Sequence, residues 1–211
     1  MSEIKKEKLG FIEKLLGSIG KIYMWFKAKK CNKLLAHLGH LYSVYELAKL
    51  TGSYEKALEI MKLAGIEAGN DIVLESIDLA KPVLSKSIED IKVILNSSWY
   101  AFLGKEKIDY FEYVPPDENG VEKIIWRCNK CMLCSGIDED IFIKDDLEKI
   151  ESSLASLLLG IFESFFGIIM EYAGRSFDIK VYETKCMAKG DPYQEITAVF
   201  TPKKAKMNNI N

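Results

Sequence analysis

The residues with the most chemistry in them are sulfurs. Cys128, Cys131 and Cys134 recur with two residues between each, in the run Trp126-Arg127-Cys128-Asn129-Lys130-Cys131-Met132-Leu133-Cys134. Thiolates at that spacing converge on one metal centre, because a tight loop turns successive sulfurs inward. Three thiolates are one short of a full set. Glu183-Thr184-Lys185-Cys186 is the stretch expected to supply the remaining ligand. The plainer alternative is a group of reduced structural thiols, since cysteine also packs as a small hydrophobe.

Other reactive side chains are sparse. His37 and His40 lie one helical turn apart, without an acidic or cysteine partner at matching spacing, and are expected at a surface or in packing. Cys31 is remote and reads as a buried or helix-face thiol. Lys27, Lys29, Lys30 and Lys33 form a basic cluster that is most simply a solvated helix face. No acid–base pair, no nucleophile with a histidine partner and no glycine-rich phosphate loop can be read, so catalysis is not the leading expectation.

The whole chain sets bounds on what these residues can serve. At 211 residues it can bury one substantial core, and two full domains would be a squeeze. With 48% hydrophobic and 28% charged residues the composition is that of a soluble globular protein. A net charge of -2 argues against nucleic acid as a partner. The apolar residues at the N-terminus are broken by Glu13, Lys14 and Lys21, so a secretory signal is not expected and a reducing cytoplasm is. The run from Leu157 to Met170 is short for a transmembrane span and carries Glu163; it reads as a buried helix.

Helices must position the sulfurs. Leu9, Ile12, Leu16, Ile19, Tyr23 and Phe26 predict a helix over residues 4–30, an arm in need of a partner surface on its own body or on a second subunit. Membrane-surface binding is a minor alternative for it, given Tyr23-Met24-Trp25-Phe26-Lys27. A second helix is expected over Asn32 to Leu50, ending at Thr51-Gly52. A third follows Ser53 toward Ala68 or beyond, its Gly65 and Gly69 permitting close approach of another backbone. Pro82 breaks the pattern. Ser87-Ile88-Glu89-Asp90 resembles a capping box opening a fourth helix, with Ile91, Ile94, Leu95, Trp99 and Phe102 on its apolar side. Ile108 to Val114 and Val121 to Arg127 read as a hairpin around Pro115-Pro116-Asp117-Glu118-Asn119-Gly120, with the cysteine loop hanging from its second strand. Asp145 and Asp146 are expected to open the longest helix, central and buried, which runs to Tyr172 and stops at Gly174. Two further strands, Phe177 to Glu183 and Glu195 to Thr201, precede a frayed tail. The fold class is therefore α+β, a helical N-terminal half packed on a small antiparallel sheet. Residues 1–50 form a helical arm suited to dimerisation, 51–202 the α+β domain and 203–211 a tail.

The C-terminal third resembles the 4-vinyl reductase-like, hydrocarbon-binding domain. The resemblance rests on the long apolar helix with Gly160, on Gly174-Arg175-Ser176-Phe177, and on Val181-Tyr182-Glu183-Thr184-Lys185-Cys186-Met187-Ala188-Lys189-Gly190-Asp191-Pro192-Tyr193. It extends more weakly back to Gly65 and does not cover the residues before 50. It implies a ligand-binding fold like that of aromatic-responsive sensor domains and vesicle-transport subunits, enclosing an apolar cavity. Some members of that family bind zinc through a cysteine on the long helix, the Glu-x-x-Cys pair and a cysteine after the Gly-Asp turn. Glu183 and Cys186 match that pattern; Gln194 replaces the last cysteine, and the helix is apolar around Leu157 to Gly160. Cys186 joined to Cys128, Cys131 and Cys134, with Glu183 as a further ligand or an outer partner, fits a 4Fe–4S cluster better than zinc, which favours two separated pairs. Zinc is the alternative metal.

The expected function is a metal-containing module that binds a hydrophobic or aromatic small molecule or senses redox state, acting as a homodimer or through a protein partner. A zinc-stabilised interaction subunit and an iron–sulfur electron carrier or enzyme are the alternatives.

Overall fold

In the computed structural model the described residues are 7–27, 33–103, 108–131 and 150–203. Helix α1 spans Phe11–Lys27, α2 Lys33–Thr51 and α3 Tyr54–Ala80. Short 3-10 turns at Lys81–Val83 and Ile88–Asp90 lead into α4, Ile91–Leu103. Strands β1 (Tyr110–Val114) and β2 (Glu122–Cys128) precede α5 (Ser156–Tyr172), and β3 (Phe177–Lys185) and β4 (Gln194–Pro202) follow it. The strands form one antiparallel sheet in the order β1-β2-β4-β3. This is the α+β architecture expected from the sequence.

Local chemistry explains most boundaries. Ser53 caps α3, its hydroxyl accepting the Lys56 amide. Gly52, Gly120, Gly174 and Gly190 all take positive φ, at the end of α2, in the hairpin turn, after α5 and between β3 and β4. In the hairpin, Asp117 Oδ1 accepts the amides of Asn119 and Val121, so aspartate and glycine together close the turn.

Helix α5 lies between α3 and the sheet, where backbone meets backbone. A methyl group at Gly160 would stand 2.1 Å from the Lys62 carbonyl oxygen, and one at Gly65 2.1 Å from that of Leu157. The opposite side of α5 presents Phe162 and Phe166 to Trp126 of β2, at centroid distances of 5.2 and 5.9 Å, and Phe166 to Phe200 of β4 at 5.6 Å. These edge-on and tilted pairs, each worth about 0.5–1.5 kcal/mol beyond area burial, form the centre of the core. Glu163 of α5, itself buried, accepts the Val181 amide of edge strand β3 at 2.9 Å and pairs with Lys62 of α3 at 2.7 Å. One carboxylate thereby fixes the rotation of α5 against both neighbours.

Three expectations are corrected. Ser87 makes no capping bond; Asp90 is buried and accepts Ser85 Oγ (2.8 Å) and the Leu9 amide (2.7 Å), with Lys14 Nζ at 3.1 Å. The apparent capping box is a tertiary anchor for the N-terminal segment. The central helix begins at Ser156, because residues 150–155 are not helical: Glu55 Oε1 takes the amides of Glu151 and Ser152, drawing that backbone onto α3. Asp145 and Asp146 lie outside the described residues. Finally, β2 includes Cys128, so the first sulfur sits on the strand rather than in the loop.

Gly160→Ala should lower stability by about 2–4 kcal/mol, at or beyond the upper end of ordinary overpacking, because the clash is with backbone. Gly39→Ala, with nothing within 4 Å of the added carbon, should be neutral or stabilising by up to about 1 kcal/mol. Urea midpoints of the two variants test the contrast.

Candidate functional site

Alternation along the strands decides which side chains reach the site. Glu122, Ile124, Trp126 and Cys128 of β2 share the core face with Gln194, Ile196, Ala198 and Phe200 of β4, and with Phe177, Ile179, Val181 and Glu183 of β3. That face is polar at both ends and aromatic in the middle.

At one end stand the candidate ligands. Cys128 is directly opposite Gln194 in the β2–β4 ladder, which places their Cβ atoms about 5 Å apart. The register of β3 on β4 shifts between Glu183 and Lys185, a bulge of the kind that re-aims the chain. Cys186 follows directly and is buried at the same end. The Gly-Asp turn holds it there: Asp191 Oδ2 accepts the Cys186 amide at 2.8 Å, and the Cys186 carbonyl accepts the amides of Lys189 and Asp191. That amide, aided by Lys185, holds the Asp191 carboxyl below its ordinary range. Asp109 Oδ2 accepts the Asn129 amide at 2.8 Å and pins the start of the loop that carries Cys131.

Cys128, Cys131 and Cys186 are thus buried thiols around the end of one small sheet. Glu183 is half-buried beside them and engaged through both oxygens. Oε1 accepts Gln194 Nε2 at 2.7 Å, and Oε2 accepts Ser153 Oγ at 2.6 Å, just before α5. That bonding suits an outer partner better than a ligand or a solvent-facing strand residue. Gln194 donates its amide nitrogen to Glu183, and its own Oε1 is buried without a hydrogen-bond partner. Cys134 and Cys31 lie outside the described residues. Among the described residues, no three His, Cys, Asp or Glu side chains come together closely enough to hold a metal ion. His40 is elsewhere: it is buried, with Nε2 2.5 Å from the Leu154 carbonyl oxygen, in the packing role expected of it. The side chain of His37 lies outside the description.

The middle of the face holds what sequence reasoning passes over. Trp126 of β2 and Trp99 of α4 both rest on Phe162, edge-on at 5.2 Å and stacked at 5.9 Å. Both indoles are buried, and neither Nε1 has a hydrogen-bond partner. The periodicity of α4 does place Trp99 in the core; the further signal is that a core indole brings an N–H needing an acceptor. The far end is closed by Glu122, which accepts Tyr113 Oη at 2.6 Å and Arg175 Nη2 at 2.5 Å. Burial and that carboxylate push the Tyr113 hydroxyl up to about 12.

Two solved structures are similar to the chain. One is subunit 3 of the trafficking protein particle complex from Naegleria fowleri, covalently bound to palmitic acid: TM-score 0.52, 15% identity, covering 82% of this chain and 100% of that one. The other is the phenol-responsive sensory domain of the transcription activator PoxR with phenol: TM-score 0.44, 13% identity, covering 90% and 74% respectively. At this level of identity the first likeness establishes the fold. No family model matches the sequence, and no curated protein matches it. No helix among the described residues is long and apolar enough to cross a membrane.

The Asp191 staple should be visible in acid. A carboxyl with a depressed folded pKa contributes stability above its unfolded value, near 4, and loses that contribution as pH falls through the folded value. Asp191→Asn should therefore be less stable than the parent at pH 6, and the gap should narrow as pH falls below about 4. Urea midpoints across that range check it.

Proposed function

We propose that the chain is a small-molecule-binding regulatory module of the 4-vinyl reductase-like kind. The observation that carries this reading is the pair of buried, unpartnered indole N–H groups of Trp99 and Trp126 on either side of Phe162. Each orphaned donor costs about 1–3 kcal/mol of desolvation unless something accepts from it. A guest with an apolar body and an oxygen acceptor offsets that cost. A phenol, a ketone or a fatty acid has that form. The palmitic acid bound to the trafficking subunit is an apolar guest on a protein of this fold, which supports the reading. The motif residues Glu183, Cys186, Gly190 and Asp191 gather at one end of the sheet, as a built site requires.

A second reading is favoured by a separate observation, the three buried thiols beside the orphaned Gln194 Oε1. Cys128, Cys131 and Cys186, completed by Cys134, would hold a 4Fe–4S cluster or a zinc ion, with Glu183 as outer partner. A cluster would supply a redox-sensitive link between the loop after β2 and the β3–β4 turn. With zinc, the same residues would cross-link the loop to the sheet.

Titration with a phenol or a medium-chain fatty acid should quench tryptophan fluorescence saturably. Trp126→Phe should keep the fold and weaken binding by about tenfold, the worth of one hydrogen bond. Absence of saturable binding by either class would overturn the ligand reading. Protein purified without oxygen should be brown if the cluster is present and colourless with stoichiometric zinc otherwise. Cys131→Ala and Cys186→Ala should each abolish metal binding, and a metal-free parent would remove the second reading.

A further inference from the structure

Helix α1 carries its apolar face outward. Ile12, Leu15, Ile19, Ile22 and Phe26 follow one another at intervals of three, four, three and four residues, and all are exposed, Phe26 by 80%. Phe11, 82% exposed, and Leu16 extend the same face. The other side of the helix is already committed. Gly17 lies so close to Val93 of α4 that an added methyl would stand 2.3 Å from it, and the Gly17 carbonyl accepts Ser97 Oγ at 3.2 Å. Lys14 and the Leu9 amide are both tied to buried Asp90. An amphipathic helix has therefore been fixed to its body by glycine and polar contacts, with its hydrophobic stripe facing away.

We propose that this stripe pairs with α1 of a second copy of the chain, antiparallel, about a two-fold axis beside Ile19. The interval pattern is the seam of a coiled coil, which fits a partner helix rather than a flat surface. It is close to symmetric about its middle: with Ile19 against Ile19, Ile12 stands level with Phe26 and Leu15 lies one residue out of step with Ile22, which approaches the self-complementarity an isologous interface requires. The exposed aromatic and aliphatic side chains offer at most roughly 800 Å² per protomer, an upper bound that reaches the scale of a standard interface. No charged side chain interrupts the seam. Lys14, on its flank, is held by Asp90 and is not available to anionic lipid, so a membrane surface is the weaker occupant.

Sedimentation equilibrium of the full chain should give a dimer at micromolar concentration. Ile19→Glu should raise the dissociation constant at least about 100-fold, by burying two like charges at the axis, with unchanged far-UV circular dichroism. Mild oxidation of Ile19→Cys should give a covalent dimer, whereas Ile12→Cys, facing Phe26 of the other copy, should not. If Ile19→Glu fails to fold, the cross-linking pair alone decides. A monomeric parent, a dimer indifferent to Ile19→Glu, cross-linking through Ile12→Cys in preference, or a parent that cosediments with anionic vesicles as a monomer would each overturn the proposal.

Discussion

The close contact of α3 with α5 is the constraint on which the remaining structure depends. Gly65, Gly69 and Gly160 let the two backbones touch, so α5 meets α3 backbone to backbone. The other side of α5 is filled by Phe162 and Phe166 against the sheet. Glu163 then fixes the rotation. Its carboxylate satisfies an outward amide of edge strand β3, and Lys62 neutralises it. Removing either partner would leave a buried charge or a bare edge amide, which is costlier than the pair is stabilising. Helix position and sheet edge are thereby one arrangement.

Given that arrangement, polarity along the core face is distributed rather than averaged. Glu122 with Tyr113 and Arg175 closes one end, and Glu183 with Gln194 and Ser153 closes the other. Both carboxylates are saturated by donors. Along this face, among the described residues, the polar atoms without a hydrogen-bond partner include two indole N–H groups at mid-face and the Gln194 amide oxygen at the sulfur end. A protein interior tolerates few such atoms. Their placement separates a donor-lined aromatic centre from an acceptor-and-thiol corner.

Much of this is legible in the sequence because it is local. Asn119-Gly120, the β-branched and aromatic run from Val121 to Arg127, Ser53 and Gly174 each act within a few residues, and each produces the element expected. Gly65 and Gly69 are also readable as a close-approach signal, because no side chain can substitute for their absence of one. What fails is non-local. Asp90 sits where a helix cap would, yet besides Ser85 its partners are Leu9 and Lys14, some eighty residues earlier. Periodicity places the start of α5 at Asp145, but Glu55 on a distant helix claims the amides that would have continued it. Gln194 stands where the resemblance implies a cysteine. In three dimensions its amide supports Glu183 and leaves an oxygen beside Cys128, a substitution of role that no spacing rule reveals.

The arm and the aromatic centre are mechanically adjacent, which bears on how the binding function proposed above would have an output. Helix α1 rests on α4 through Gly17, Val93 and Ser97, and Ser97 is two residues before Trp99. A guest that accepts from the Trp99 indole therefore acts on the helix that seats α1. Such a guest can shift the seating of α1 only by the difference in its affinity for two positions of α4. Gly17 makes that difference available. With no side chain on Gly17, the Val93 side chain rests directly on the α1 backbone, so a displacement of Val93 presses on backbone rather than on a side chain that could change rotamer.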